Sequence, residues 1–167
     1  MPTVLLVDDN PYVINFLSKC FTNEGFEVIS AYNAKYAIEL LIAENTPDIN
    51  VVITDYEMPV INGLEFANTF KEIAKYKYVP IILYTQHSYM SCKDEKYKVF
   101  DLILIKPNMP QEIIKKAKEK IYQTEVSKDL ISTVTDGVIE EVNSWQTRLL
   151  DSGIPNIESV EIQKRIW

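Results

Sequence analysis

The chain carries a single histidine, His87, among its 167 residues, which excludes a multi-histidine metal site. Its two cysteines, Cys20 and Cys92, form no metal-ligand spacing, and a disulfide framework does not fit this length and count. Glycine occurs only 4 times. No glycine-rich or Ser/Thr-rich phosphate loop follows the first strand, which argues against a nucleotide-binding protein. Apolar runs stay far below membrane-spanning length, and no charged-then-apolar leader opens the chain. A soluble, cytoplasmic protein with no membrane partner is therefore expected. Basic residues are outnumbered, 17 against 24 acidic, and the formal net charge of −7 disfavours nonspecific binding to nucleic acid or anionic membrane. There is no internal repeat and no low-complexity tract.

An apolar fraction of 47% is enough for a packed core, and the length suits one ordinary domain plus an extension. The organising stretch is residues 49–63. An apolar run ends in Asp55, with Met58-Pro59 and then Gly63 at fixed offsets. The run is too short for a helix and reads as a strand buried on both faces. Asp55 then stands at the strand's carboxyl end, where open α/β sheets bind ligands. Pro59 and Gly63 turn the chain before the next helix. A carboxylate there can be a nucleophile, a metal ligand or an acid/base group.

The rest of the chain repeats the same alternation. Thr3–Val7 reads as a strand ending in Asp8-Asp9; Asn10 caps a helix over 11–23, with Pro11 in its first position. Val13, Phe16, Leu17, Cys20 and Phe21 recur there at helical spacing. Glu27–Ala31 is a strand, and Ala37, Ile38, Leu41 and Ile42 mark a helix over 34–44. After the 49–55 strand comes a helix over 64–75, with Phe66, Phe70 and Ile73 inward. Residues 80–85 form a fourth strand ending in Thr85, and the polar, tyrosine-rich 88–98 a fourth helix. Leu102–Ile105 is the fifth strand, followed by Lys106-Pro107, and Pro110 opens a helix reaching at least Tyr122.

This pattern predicts an α/β fold: a doubly wound, five-stranded parallel sheet with helices on both faces. The flavodoxin-like strand order 2-1-3-4-5 brings Asp8, Asp9 and Asp55 to one edge, with Thr85 and Lys106 beside them. Crowded carboxylates repel unless a cation sits among them, and such a cluster favours Mg²⁺ or Mn²⁺. With a metal bound, Asp55 stays ionised and can act as a nucleophile. Thr85 and Lys106 can then bind the oxygens of a transferred phosphoryl group. Singly, each feature has a plainer explanation. An acidic pair after a strand commonly caps a helix, and a lysine before proline is commonly solvated. The signal lies in all of them falling at successive strand ends.

Asp8-Asp9, Asp55-x-x-Met58-Pro59-x-x-x-Gly63, Thr85 and Lys106-Pro107 together resemble the receiver domain of two-component response regulators, over about residues 2 to 124. The resemblance implies that Asp55 accepts a phosphoryl group from a histidine kinase or a phosphotransfer protein. It implies Mg²⁺ held by Asp8, Asp9, Asp55 and the backbone carbonyl of Glu57, with Mn²⁺ as an alternative. It also implies a cis Lys106-Pro107 peptide, and no enzymatic activity beyond the domain's own phosphorylation and dephosphorylation. The chain departs from the family pattern at Ile103, at Gln86 and at the pair Glu57 and His87. Ile103 stands where the family has Tyr or Phe; Tyr84, Tyr89 and Phe100 are the nearby aromatics that can substitute. Gln86 replaces a small residue and narrows access to Asp55. Glu57 and His87 occupy the positions that modulate dephosphorylation; a lone histidine on such a loop is more commonly plain surface.

Residues 125–167 fit no part of a standard receiver. They carry 4 basic and 8 acidic residues, so a DNA-binding output there is not expected. Val126, Leu130, Val134, Val138, Val142, Trp145 and Leu149 form an amphipathic stripe. The last receiver helix is therefore expected to continue to about Leu150, with a short helix from Asn156. Such an extension either folds back, forms a homodimer or relays a signal, or begins a longer output region. Two further functions stay open. One is a receiver-like interaction module that works without phosphorylation. The other is a phosphatase with an aspartyl nucleophile, for which Glu57 two residues after Asp55 is a faint sign.

Overall fold

The computed structural model of the chain describes residues 1–46 and 48–135. Five parallel strands form one sheet: β1 (Thr3–Val7), β2 (Glu27–Ala31), β3 (Val51–Thr54), β4 (Ile81–Thr85) and β5 (Leu102–Ile105), in the order β2-β1-β3-β4-β5. The three inner strands, β1, β3 and β4, are buried along their whole length. Strands covered on both faces need no polar alternation, which is why they read as unbroken apolar runs. The expected α/β architecture and strand order are thus observed.

The described residues also form four α-helices: α1 (Pro11–Asn23), α2 (Ala34–Ile42), α3 (Gly63–Glu72) and α4 (Pro110–Thr135). Asn10, Asn33 and Asn62 cap the first three through their side chains, and Asn62 and Glu65 close a reciprocal capping box. The core divides by sheet face. Leu5, Val52, Phe66, Phe70, Leu83 and Phe100 lie in one cluster. Leu6, Ile14, Phe21, Ile53, Tyr84 and Ile113 lie in the other. The buried face of α1 centres on Ile14, Leu17 and Phe21, whereas Phe16 is exposed. Ile42 is likewise exposed at the end of α2. Helix α3 stops at Glu72, because Ile73 turns extended before a 3-10 turn over Ala74–Tyr76.

The expected helix over 88–98 is not formed. The segment holds only a 3-10 turn at Glu95–Tyr97, and its backbone bonds run three residues back, as in Asp94 N–H to Ser91 and Phe100 N–H to Tyr97. Local side chains supply the reason. Ser91 Oγ accepts the N–H of Lys93 and Asp94 Oδ1 that of Lys96, bonds that compete with helical ones. Met90, Tyr97 and Phe100 are buried and pin the irregular segment to the core. Helix α4 continues beyond Tyr122 to Thr135. Residues 136 onward of the predicted course to Leu150, with the stripe positions Val138, Val142, Trp145 and Leu149, and the short helix from Asn156 lie outside the described residues.

Candidate functional site

Backbone register builds the site. Val7 pairs with Thr54, so β1 and β3 end side by side and release Asp8 and Asp55 together. Asp55 N–H donates to the Val7 carbonyl at 2.9 Å. Thr85 pairs with Ile105 on the other side, and Lys106 N–H donates to the Thr85 carbonyl at 2.8 Å. The Lys106–Pro107 peptide is cis. Gly63 is required by a close approach. A Cβ there would lie 2.1 Å from the Asp55 carbonyl oxygen.

Asp8, Asp9 and Asp55 each offer an oxygen, and these three atoms lie within 4.8 Å of one another. An all-oxygen donor set from an otherwise repelling acidic trio suits a hard divalent cation, so these residues fit the metal that the sequence implies. Lys106 Nζ lies 2.8 Å from Asp8 Oδ2 and 3.5 Å from Asp55 Oδ2, with its side chain only 13% exposed. Asp55 Oδ1 accepts the N–H of Tyr56, and Asp8 Oδ1 that of Asn10. Burial pushes the Asp55 carboxyl above the ordinary carboxylate range. Lys106 opposes that rise, Asp8 adds to it, and the net direction is up. For Lys106, burial pulls the ammonium down, but its bonds and attraction to Asp8 and Asp55 win and raise it.

Thr85 is buried, and its Oγ1 accepts the N–H of His87 at 3.3 Å, which leaves its own proton free to donate elsewhere. His87 Nε2 meets Glu57 Oε1 at 2.8 Å, so two separately singled-out residues form one pair. Gln86 is exposed at the end of β4. Ile103 packs against the first core cluster, on the face where Phe100 also lies, while Tyr84 belongs to the opposite face. Tyr89 is exposed, with its ring 5.3 Å from that of His87.

The model of the response regulator receiver domain matches residues 4–118. The chain belongs to the response regulator receiver family. A second family model, that of Mutator-family transposases, matches residues 109–159, less than half of the chain, and shows no membership. The two-component response regulator ORR5 of Oryza sativa subsp. japonica is 30% identical over 67% of this chain and 83% of its own length. The crystal structure of response regulator TrrA from Thermotoga maritima, in complex with Mg²⁺-BeF, is 32% identical with a TM-score of 0.63. It covers 72% of this chain and 99% of that one. The structure of the histidine kinase ThkA in complex with TrrA matches at 31% identity and a TM-score of 0.62, over 72% of this chain and 98% of that one.

Within this receiver, two residues near the site were not legible in advance. Tyr56, next to Asp55, sets its ring edge-on to His87 and to Tyr97, at 6.0 and 6.3 Å between centroids. Val60, in the turn after β3, has φ of 71°. The turn was signalled by Pro59 and Gly63, but nothing in the sequence assigns a left-handed backbone to a valine. An open groove lined by Asp9, Tyr56, Glu57, Met58, Pro59 and Asn62 adjoins the receiver's acidic edge.

Proposed function

We propose that this receiver is a phosphorylation-controlled switch of a two-component phosphorelay. Its Asp55 would take a phosphoryl group from a histidine kinase or a phosphotransfer protein in the cytoplasm. The observation that carries the reading is the Asp8, Asp9 and Asp55 cluster, with the Lys106 ammonium 3.5 Å from Asp55. Asp8, Asp9, Asp55 and the Glu57 carbonyl would hold Mg²⁺, or Mn²⁺, which when bound offsets the charge on the phosphoryl oxygens. An Asp55 carboxylate oxygen attacks phosphorus, a P–O bond forms, the P–N bond of the donor breaks, and the imidazole leaves with the electron pair. Lys106 turns from Asp8 toward one phosphoryl oxygen, and the Thr85 hydroxyl donates its proton to another. Glu57, Gln86, His87 and Ile103 tune the rates.

Residues 1–124 are the switch in this reading, and 125–167 an extension that pairs two copies or relays the change. A conformational response is the output, so the domain is a signalling switch and not a classical enzyme. The test is intact mass after incubation with acetyl phosphate and Mg²⁺, with light scattering in parallel. One added phosphoryl group on the wild type, absent from Asp55→Asn, is the expected result; equal modification of both proteins would overturn the assignment. A module that binds partners without phosphorylation is favoured by Ile103 and by Gln86, which stands exposed just after β4. No modification and no response to Mg²⁺ would move the conclusion there.

A further inference from the structure

We propose that Tyr84 is the positioning residue of Lys106, gripping it from the sheet face opposite Ile103. The kinetic consequence rests on the phosphoryl reading above; the grip itself does not. Tyr84 immediately precedes Thr85 in β4 and is 8% exposed. The Lys106 ammonium stands 5.3 Å from the centre of its ring. Its hydroxyl oxygen accepts the N–H of Asn108 at 3.2 Å. One side chain therefore holds the lysine at its charged tip and again through the backbone two residues on. With Asp8 and Asp55 it also lines one small cavity at the ends of the inner strands.

A lysine has a long, flexible stem, and an ammonium fixed only by carboxylates follows whichever carboxylate attracts it more. In this site Asp8 is the nearer, at 2.8 Å against 3.5 Å for Asp55. Charge attraction alone thus draws the ammonium toward β1. An aromatic face attracts the same charge from a third direction, more strongly where water is excluded. A phenol anchored to the turn after β5 cannot drift with the lysine. The result is an ammonium already over the acidic site when a phosphoryl group arrives, with less ordering left to do. Tyr84 belongs to the second core cluster and Ile103 packs on the first, so Tyr84 does not stand in for an aromatic at position 103.

The experiment compares Tyr84→Leu and Tyr84→Phe, each in the wild-type and Lys106→Ala backgrounds, using the full chain, acetyl phosphate and Mg²⁺. Loss of the ring in Tyr84→Leu is expected to slow modification of Asp55 about tenfold with unchanged Mg²⁺ affinity. Tyr84→Phe keeps the ring and is expected to slow it only about threefold. Neither has a further effect once Lys106 is alanine. Equal slowing in both backgrounds, or no slowing in either, overturns the proposal. A second readout needs no phosphoryl chemistry. The Lys106 Cε protons should resonate upfield under the ring in wild type and Tyr84→Phe. An ordinary shift in wild type overturns the grip, even if Tyr84→Leu fails to fold. A wild type that shows the ring shift but never accepts a phosphoryl group overturns the reading of the site and leaves the grip established.

Discussion

His87 Nε2 and Glu57 Oε1 stand 2.8 Å apart, tying the loop after β4 to the loop after β3 beside the acidic site. The Glu57 side chain is 73% exposed. A contact with so exposed a partner contributes about 0 to 1 kcal/mol, so it does not hold the fold together. His87→Ala and Glu57→Ala should each lower stability in urea by less than about 1 kcal/mol. Both should change the rate of Asp55 modification by acetyl phosphate several-fold, and the double variant should match the single ones. Independent, multiplying effects would show that the two side chains do not act as a pair.

Removal of the Asp55 charge should stabilise the metal-free protein. Burial raises its carboxyl, Lys106 only partly opposes this, and Asp8 adds to the rise. A carboxyl raised in the folded state costs stability as it ionises. The folded protein is favoured below the unfolded value of 3.8 and loses that advantage as pH climbs through the raised folded value. The stability gained by Asp55→Asn should therefore grow with pH across that window and then level off. The check is chemical denaturation of both proteins in chelator across the acid range. A gain that shrinks as pH rises would mean that Lys106 dominates Asp55.

Most of this was legible because every strand but β2 is a short apolar run ended by a polar residue. Asp8, Asp55, Thr85 and Lys106 all follow from that punctuation and from the parallel alternation. What failed depends on balances the pattern does not carry. Residues 88–98 have helical length, but Ser91 and Asp94 bond their own backbone and stop a helix from forming. Phe16 has helical spacing, yet it sits a fraction of a turn off the line of Ile14, Leu17 and Phe21. The Glu57–His87 pair and the Lys106–Tyr84 contact depend on how loops from different strands approach. In a strand buried on both faces, Tyr84 looks like any other core residue.

Val60 holds a φ of 71° and is 94% exposed. A β-branched residue pays for a left-handed backbone by about 1 to 2 kcal/mol, and an exposed side chain returns little packing to offset it. Asparagine tolerates this conformation without the backbone freedom of glycine in the unfolded chain. Val60→Asn should raise stability by about 0.5 to 1 kcal/mol in thermal or urea unfolding. An unchanged or lower stability would mean that the valine side chain makes up the cost by contacts in the turn.

Gly63 presents the opposite case: its φ is ordinary and the constraint is space. A methyl group there would lie 2.1 Å from the Asp55 carbonyl oxygen and 2.9 Å from the Tyr56 Cα. Both are backbone atoms, so no side chain can rotate away to relieve the clash. The Gly63 N–H also donates to the Tyr56 carbonyl at 2.8 Å, which ties the start of α3 to the strand end that carries Asp55. Gly63→Ala must push these segments apart, at a cost of about 1 to 3 kcal/mol or more. The displacement should also reach the site, weakening Mg²⁺ binding because Asp55 moves relative to Asp8 and Asp9. Denaturation and Mg²⁺ titration of the same variant test both effects. A destabilised protein with wild-type Mg²⁺ affinity would mean that α3 yields and the acidic site does not.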